Sequence, residues 1–156
     1  MIDNQTSDPL TRNAGWFAAG VLAADALCHV YWLTGAVWPF ADDHALSLAV
    51  LGFPAPFTAP VLVPLVLLLA VAATAVHHRL RNGPHGPVGR AAHLVTLAVA
   101  TAAAVQVPVR IGWLAGLGGP GAGPVFPWLN PVLYLPLCAL LALATFRVAR
   151  RGGPRS

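Results

Sequence analysis

The stretch TAPVLVPLVLLLAVAATAV, residues 58–76, carries no charged side chain and decides the fold class. A helix needs about 20 apolar residues to cross the roughly 30 Å of hydrocarbon in a bilayer. Because no water is present there, the segment must satisfy its own backbone hydrogen bonds. The stretch therefore predicts a membrane-spanning helix.

Three further apolar runs have a similar length, and segments rich in Gly and Pro separate them. One separator, GLGGPGAGP at 116–124, lacks the Lys-Ser/Thr of a phosphate-binding loop and is predicted to be a flexible outer loop. The sequence thus predicts one all-α domain over 1–156, an integral membrane bundle of four transmembrane helices. The predicted spans are about 14–36, 58–78, 91–113 and 128–147.

The composition supports the lipid bilayer as the main partner. Hydrophobic residues make up 57% of the chain and charged residues only 9%, whereas soluble domains carry about 25% charged residues. The alternative is an unusually apolar soluble helical protein. The formal net charge is +4 and comes from Arg clusters without interleaved aromatic residues, so no nucleic-acid partner is predicted.

The Arg residues predict the orientation of the bundle. One cluster lies between the second and third spans and the other follows the fourth; they comprise Arg79, Arg81, Arg90, Arg147, Arg150, Arg151 and Arg155. Under the positive-inside rule both segments face the cytoplasm, whereas the loop with Asp42 and Asp43 faces outward. We therefore expect a multi-pass protein of the cell membrane with both termini cytoplasmic. A cleaved signal peptide fits poorly, because the first run is long and holds an Asp and a His.

Polar residues inside the spans share one depth. Asp25 lies near the middle of the first span, and His29 lies about 6 Å further outward. Three pairs have the i, i+4 spacing that places side chains on one helix face; they are Asp25 with His29, Gln106 with Arg110, and Asn130 with Tyr134. All fall in the outer half of the bundle, which predicts a polar pocket in the outer leaflet.

Asp25 and His29 are the candidate catalytic residues, as an acid–base pair. A charged residue in mid-bilayer costs about 2.5 to 3.5 kcal/mol, which makes a functional role the default hypothesis. The candidate substrate-binding residues are Tyr31, Trp32, Gln106, Arg110, Asn130 and Tyr134. Interhelical hydrogen bonding without further function is the alternative. Three placements of the Arg110 side chain stay open: it pairs with Asp25, it reaches Asp42 and Asp43, or it extends to the lipid headgroups.

The segment ALCHVYWLTGA, residues 26–36, resembles the first helix of a bacterial family of small four-helix membrane proteins classed as a domain of unknown function (DUF3995-like). That family carries a Leu-His-x-Tyr-Trp-x-x-Gly-Gly-like signature. His29, Tyr31, Trp32 and Gly35 fit it, whereas Cys28 stands in place of Leu and Ala36 in place of the second Gly. The resemblance implies that these residues matter to the family and implies no activity.

These observations favour a membrane protein that binds or converts a lipophilic small molecule, as a cyclase or isomerase would, since aromatic rings beside a buried acid can stabilise a cation. The alternatives are a small proton-coupled transporter and a non-catalytic accessory subunit, and a homo-oligomer stays open.

No cofactor or metal is predicted, although two groups of residues have side chains of the types that bind metals. One group is His77, His78, His85 and His93, and the other is His29, His44, Asp42 and Asp43. Cys28 and Cys138 are expected to be buried, with a disulfide left open.

Overall fold

The computed structural model describes residues 8–117 and 124–150, and every regular element in these ranges is helical. The elements are α1 (Pro9–Leu33), α2 (Asp43–Val50), α3 (Ala59–Asn82), α4 (Gly86–Leu114), α5 (Phe126–Leu129), a π-helical turn (Asn130–Tyr134) and α6 (Leu135–Arg150). The all-α prediction is confirmed. Most of the predicted outer loop, residues 118–123, lies outside the described residues, as do Arg151 and Arg155.

Four helical segments are long and apolar enough to cross a membrane, as expected for the predicted bundle of four transmembrane helices. They are α1, α3, α4 and the continuous helix Phe126–Arg150 formed by α5, the π-helical turn and α6. The helices extend beyond the apolar runs at several ends. For example, α1 begins at Pro9, where Asp8 accepts a hydrogen bond from the Leu10 amide at 3.2 Å. Apolarity locates the part inside the bilayer, whereas capping decides where the helix starts.

The four long helices form an up-and-down bundle in which α1 packs on α3 and α6, and α4 packs on the same two helices from across the bundle. Because consecutive long helices run in opposite directions, four helix ends lie at the same end of the bundle: the start of α1, the end of α3, the start of α4 and the end of α6. This end, which we call the Arg-rich end, carries Arg12, Arg79, Arg81, Arg90, Arg147 and Arg150. The other end carries α2, α5 and the π-helical turn and is called the opposite end.

Small side chains form the centre of the bundle. The core consists of Ala18, Ala19, Leu22, Ala72, Val76 and Ala144. Small residues let helix backbones approach closely, which is how membrane helices associate without a hydrophobic driving force. Large apolar side chains such as Leu67, Leu68 and Leu143 instead point outward and are mostly exposed. This arrangement suits a surface that contacts lipid.

The tight turn between α3 and α4 gives a stability prediction. A Cβ atom added to Gly89 would lie 2.7 Å from the Pro84 carbonyl carbon, so the backbone of the turn would have to move. We expect Gly89→Ala to lower the free energy of unfolding by about 1–2 kcal/mol, measured by denaturant titration in detergent. Gly20→Ala is the control, because nothing lies within 4 Å of its added Cβ. It should be neutral or stabilising, and an equal effect of the two substitutions would refute the steric explanation.

Candidate functional site

Asp25 and His29 lie side by side on α1, at the opposite end of the bundle. The His29 ring nitrogen Nδ1 donates to the Asp25 backbone carbonyl oxygen at 2.8 Å and lies 3.4 Å from the Asp25 carboxylate oxygen Oδ1. The His29 side chain is nearly buried, whereas the Asp25 side chain is 50% exposed. Because α1 turns 100° per residue, His29 continues the buried face of Leu22 and Ala26, while Asp25 lies beside it.

The hydrogen bond from Nδ1 determines what His29 can do chemically. A neutral imidazole has one N–H, so a donor at Nδ1 leaves Nε2 with a lone pair. Among the described residues Nε2 has no hydrogen-bond partner, and it is therefore open to accept a proton. The adjacent carboxylate would stabilise the imidazolium that forms.

Aromatic rings flank this pair on one side. Trp32 meets His29 edge to face with ring centroids 4.8 Å apart, and Phe57 meets Trp32 in the same way at 5.4 Å. Phe57 lies in the connection between α2 and α3 and was not among the predicted residues. The contact places an apolar aromatic surface directly beside the ionisable pair.

A π-helical turn positions the polar groups of the last span. The Leu135 amide donates to the Asn130 carbonyl five residues back, and Pro136, which has no amide hydrogen, follows. Asn130 is buried, and its Oδ1 accepts from Arg110 Nη1 at 3.2 Å. Its Nδ2 donates to the Arg110 carbonyl at 3.4 Å. Asn130 thereby joins the last span to α4 through both ends of its amide.

Arg110 lies among aromatic rings and amides rather than carboxylates. Its guanidinium lies 5.0 Å from the Tyr134 ring centroid and 5.8 Å from that of Trp113. Within the described residues no carboxylate oxygen comes within 4.0 Å of it. The side chain therefore bonds to Asn130 rather than to Asp25, Asp42 or Asp43. Asp42 instead caps α2, accepting from the Ala45 amide at 2.7 Å.

Tyr134 links the last span to α2. Its hydroxyl donates to the Ala49 carbonyl of α2 at 3.1 Å. Its ring also lies against the Arg110 guanidinium, so that Tyr134 belongs to the same group as Arg110 and Asn130. We call Asp25, His29, Arg110, Asn130 and Tyr134 the polar cluster. It comprises the Asp25–His29 pair of α1 and the Arg110–Asn130–Tyr134 group of α4 and the π-helical turn, and both groups lie at the opposite end of the bundle.

Two predicted residues lie apart from the polar cluster. Tyr31 is 41% exposed on the outer surface of α1, and Gln106 is exposed on α4. No side-chain hydrogen bond or ring contact within the described residues links either one to the cluster. Trp32, by contrast, contacts His29 through its ring. The structure thus brings six of the eight predicted side chains into two contacting groups, Asp25 with His29 and Trp32, and Arg110 with Asn130 and Tyr134.

Arg79, at the Arg-rich end, is a buried cation. Its position along the sequence predicts the orientation of the bundle in the membrane but not the burial of its side chain. It is 2% exposed and is the largest fully buried side chain of the described residues. Its Nη2 donates to the Ala149 carbonyl at 3.1 Å and its Nε donates to His93 Nδ1 at 3.4 Å. Arg79 therefore ties α3 to α6 and α4.

The structure also locates the potential metal ligands and thiols. Within residues 8–117 and 124–150, no three His, Cys, Asp or Glu side chains come together as a metal site would require. Cys28 and Cys138 are both free thiols, and Cys28 is exposed. The expectation that both are buried is wrong for Cys28, because it falls outside the face of α1 that includes Ala26 and His29. Cys138 is only half-buried.

Comparisons with protein-family models, with curated proteins and with solved structures found nothing that matches this chain. The resemblance of residues 26–36 to the family of four-helix membrane proteins stays a prediction. The function of the protein must therefore be inferred from the geometry of its own residues, and above all from the polar cluster.

Proposed function

We propose that this protein binds a lipophilic small molecule beside the polar cluster and converts it by acid–base chemistry of the cyclase or isomerase type. The observation that carries the proposal is the hydrogen bond from His29 Nδ1 to the Asp25 carbonyl, with the Asp25 carboxylate 3.4 Å away. This arrangement places three groups together: the Nε2 nitrogen of His29 as a base, the Asp25 carboxylate as an anion, and the Trp32 ring as an apolar surface.

The chemistry needs no other reactant in the isomerase case. Nε2 of His29 takes a proton from a carbon next to a carbonyl-conjugated double bond of the ligand, and the electron pair of the broken C–H bond stays on the ligand as a delocalised enolate. The resulting imidazolium then returns the proton to a different carbon of that enolate, which completes the shift of the double bond. The Asp25 carboxylate stabilises the cationic ring between these two steps. The half-exposed side of Asp25 provides a lateral approach for a ligand from the bilayer.

We also propose a location in the cell membrane with the Arg-rich end, and hence both termini, on the cytoplasmic side. The positive-inside rule supports this orientation, since the Arg residues of four helix ends lie together there. The polar cluster would then lie in the outer leaflet.

A proton-coupled transporter is less well supported. The polar cluster and the Arg79 group lie at opposite ends, with an apolar core between them. The Thr96 and Thr145 hydroxyls, which lie between these ends, donate to carbonyls of their own helices, Ala92 and Leu141 respectively. Both hydroxyls are thus bonded within their own helices rather than across the bundle.

An accessory subunit or homo-oligomer is the second candidate, and one observation favours it. The Asp25 carboxylate is half exposed on the side of the bundle, where lipid would leave it poorly solvated. A helix of a partner or of a second copy would cover it. Native purification that yields only a monomer would count against this candidate.

Mass spectrometry of the protein purified in mild detergent tests ligand binding directly. We expect the wild type to retain a lipophilic compound and Trp32→Leu to retain about tenfold less, because the aromatic contact beside His29 is lost. Trp128→Leu is the matched control at the same end, since its side chain is 75% exposed. A wild type without any retained compound, or equal losses in both variants, would contradict the proposal.

A further inference from the structure

A groove of about 260 Å³ opens at the Arg-rich end, between the start of α1 and the end of α3. Its lining residues are Arg12, Trp16, Leu80 and Arg81. Leu80 is buried and forms an apolar floor, whereas the other three side chains are exposed. Two cations and an indole ring thus surround an apolar surface.

Contacts between the two helices fix the walls of this groove. A Cβ atom on Gly15 would lie 2.8 Å from Leu80 Cδ2, so α1 and α3 approach closely here because Gly15 has none. The Trp16 ring meets His77 with centroids 5.0 Å apart, and the Arg81 guanidinium lies 5.9 Å from the Trp16 centroid. The two arginines are therefore presented from two helices that are held together.

The positive charge of the groove is not balanced by a carboxylate of the described chain. No carboxylate oxygen in residues 8–117 and 124–150 lies within 4.0 Å of Arg12 or Arg81. Asp8, the nearest acidic residue along α1, accepts from the Leu10 amide at 3.2 Å and the Thr11 hydroxyl at 3.4 Å. Guanidinium groups bind phosphate oxygens in a bidentate manner, so the groove is suited to a phosphate.

We propose that this groove binds the phosphate of an anionic phospholipid. Both helices are long and apolar enough to cross a membrane, so their ends lie at the level of the headgroups, where Trp residues concentrate. Arg12 and Arg81 would hold the phosphate, Trp16 would contact the glycerol region, and the acyl chains would follow the apolar surface of α1 and α3. The two arginines disfavour a headgroup with a cationic amine of its own. This proposal is independent of the function assigned to the polar cluster.

Retention of lipid during purification tests the proposal. The protein is reconstituted in vesicles of phosphatidylcholine and phosphatidylglycerol, extracted in mild detergent and measured by native mass spectrometry. We expect the wild type to retain phosphatidylglycerol over phosphatidylcholine. The double variant Arg12→Gln/Arg81→Gln should retain about tenfold less phosphatidylglycerol, since each juxtamembrane Arg contributes to binding anionic lipid.

The control is Arg90→Gln/Arg147→Gln, which removes the same charge from exposed positions of the same end that do not line the groove. It should retain phosphatidylglycerol as the wild type does. Undiminished retention by the groove variant, or equal loss in the control, would overturn the proposal.

A second experiment adds inorganic phosphate to the protein in detergent. A thermal stabilisation equal to that given by phosphatidylglycerol would assign the groove to free phosphate and overturn the lipid site.

Discussion

Arg79→Met is expected to lower the free energy of unfolding by about 2–3 kcal/mol, a change of roughly 30- to 150-fold in the unfolding constant. The substitution keeps much of the apolar stem but removes the guanidinium. The Ala149 carbonyl then loses its donor in the last turn of α6, and His93 Nδ1 loses its partner on α4. Ala149 is buried, so water replaces the missing bond poorly.

Two opposing effects decide the sign of this change. Removing a buried cation recovers the cost of taking it out of water, which on its own would stabilise the variant. The buried Ala149 carbonyl that stays behind without a donor costs about 1–3 kcal/mol, and the half-buried His93 ring adds a smaller cost. The smaller side chain also leaves a space where Arg79 was only 2% exposed. We expect the second effect to be larger because Arg79 bonds two neighbouring helices at once.

Denaturant titration in detergent, followed by the loss of helical circular dichroism, measures the effect. Arg90→Met is the matched control, because Arg90 is exposed at the same end of the bundle and should change stability by less than about 0.5 kcal/mol. If the denaturation midpoint of Arg79→Met equals that of the wild type, the buried guanidinium makes no net contribution to stability.

The burial of Arg79 illustrates what the sequence leaves open. An Arg directly after an apolar run indicates which side of the membrane it faces, and that inference uses only its position along the chain. Whether the side chain points to headgroups or into the bundle depends on which neighbouring helices meet there. In this protein the end of α6 supplies a carbonyl and the start of α4 supplies His93. Neither neighbour can be deduced from the residues around Arg79.

The polar cluster is more accessible to prediction, because depth in a membrane helix follows from a rise of 1.5 Å per residue. The sequence places Arg110, Asn130 and Tyr134 at one level, and the structure brings these three into contact. Gln106 shows the limit of the i, i+4 argument. The buried face of α4 passes through Ala100 and Ala103, and the 3.6-residue repeat carries this face on to the half-buried Arg110. A residue four positions before Arg110 is rotated by about 40° from it, which leaves Gln106 exposed.

The short elements of the opposite end, α2 and the π-helical turn, are not predicted from the sequence, for a different reason. Helix α2 covers only Asp43–Val50, far too short to be recognised as a membrane span. Its start is visible in the sequence, since Asp42 is a favoured N-cap residue. The π-helical turn at Asn130–Tyr134 has no such signal beyond its prolines. These two elements supply the Ala49 carbonyl and the position of Asn130, and so complete the polar cluster.

Asp25→Asn is expected to lower conversion of the ligand by about 10²- to 10⁴-fold, the range that acid–base catalysis contributes. The change is almost isosteric, and the His29 bond to the backbone carbonyl of residue 25 does not depend on the side chain. The imidazole thus keeps its position and its lone pair at Nε2. What it loses is the anion 3.4 Å away that stabilises the imidazolium. A large loss without unfolding would therefore assign the carboxylate a role in proton transfer.

The measurement compares the compounds in lipid extracts before and after incubation with reconstituted protein. Asp43→Asn is the control, because it removes an exposed carboxylate at the same end of the bundle. It should convert the same compounds at the rate of the wild type. Equal conversion by Asp25→Asn would exclude acid–base catalysis by the pair. If the wild type retains a ligand but changes nothing in the extract, the polar cluster is a binding site and Asp25→Asn should weaken retention instead. The charge of Asp25 then serves recognition of the ligand, since a lipid-facing carboxylate is costly to keep in a membrane helix.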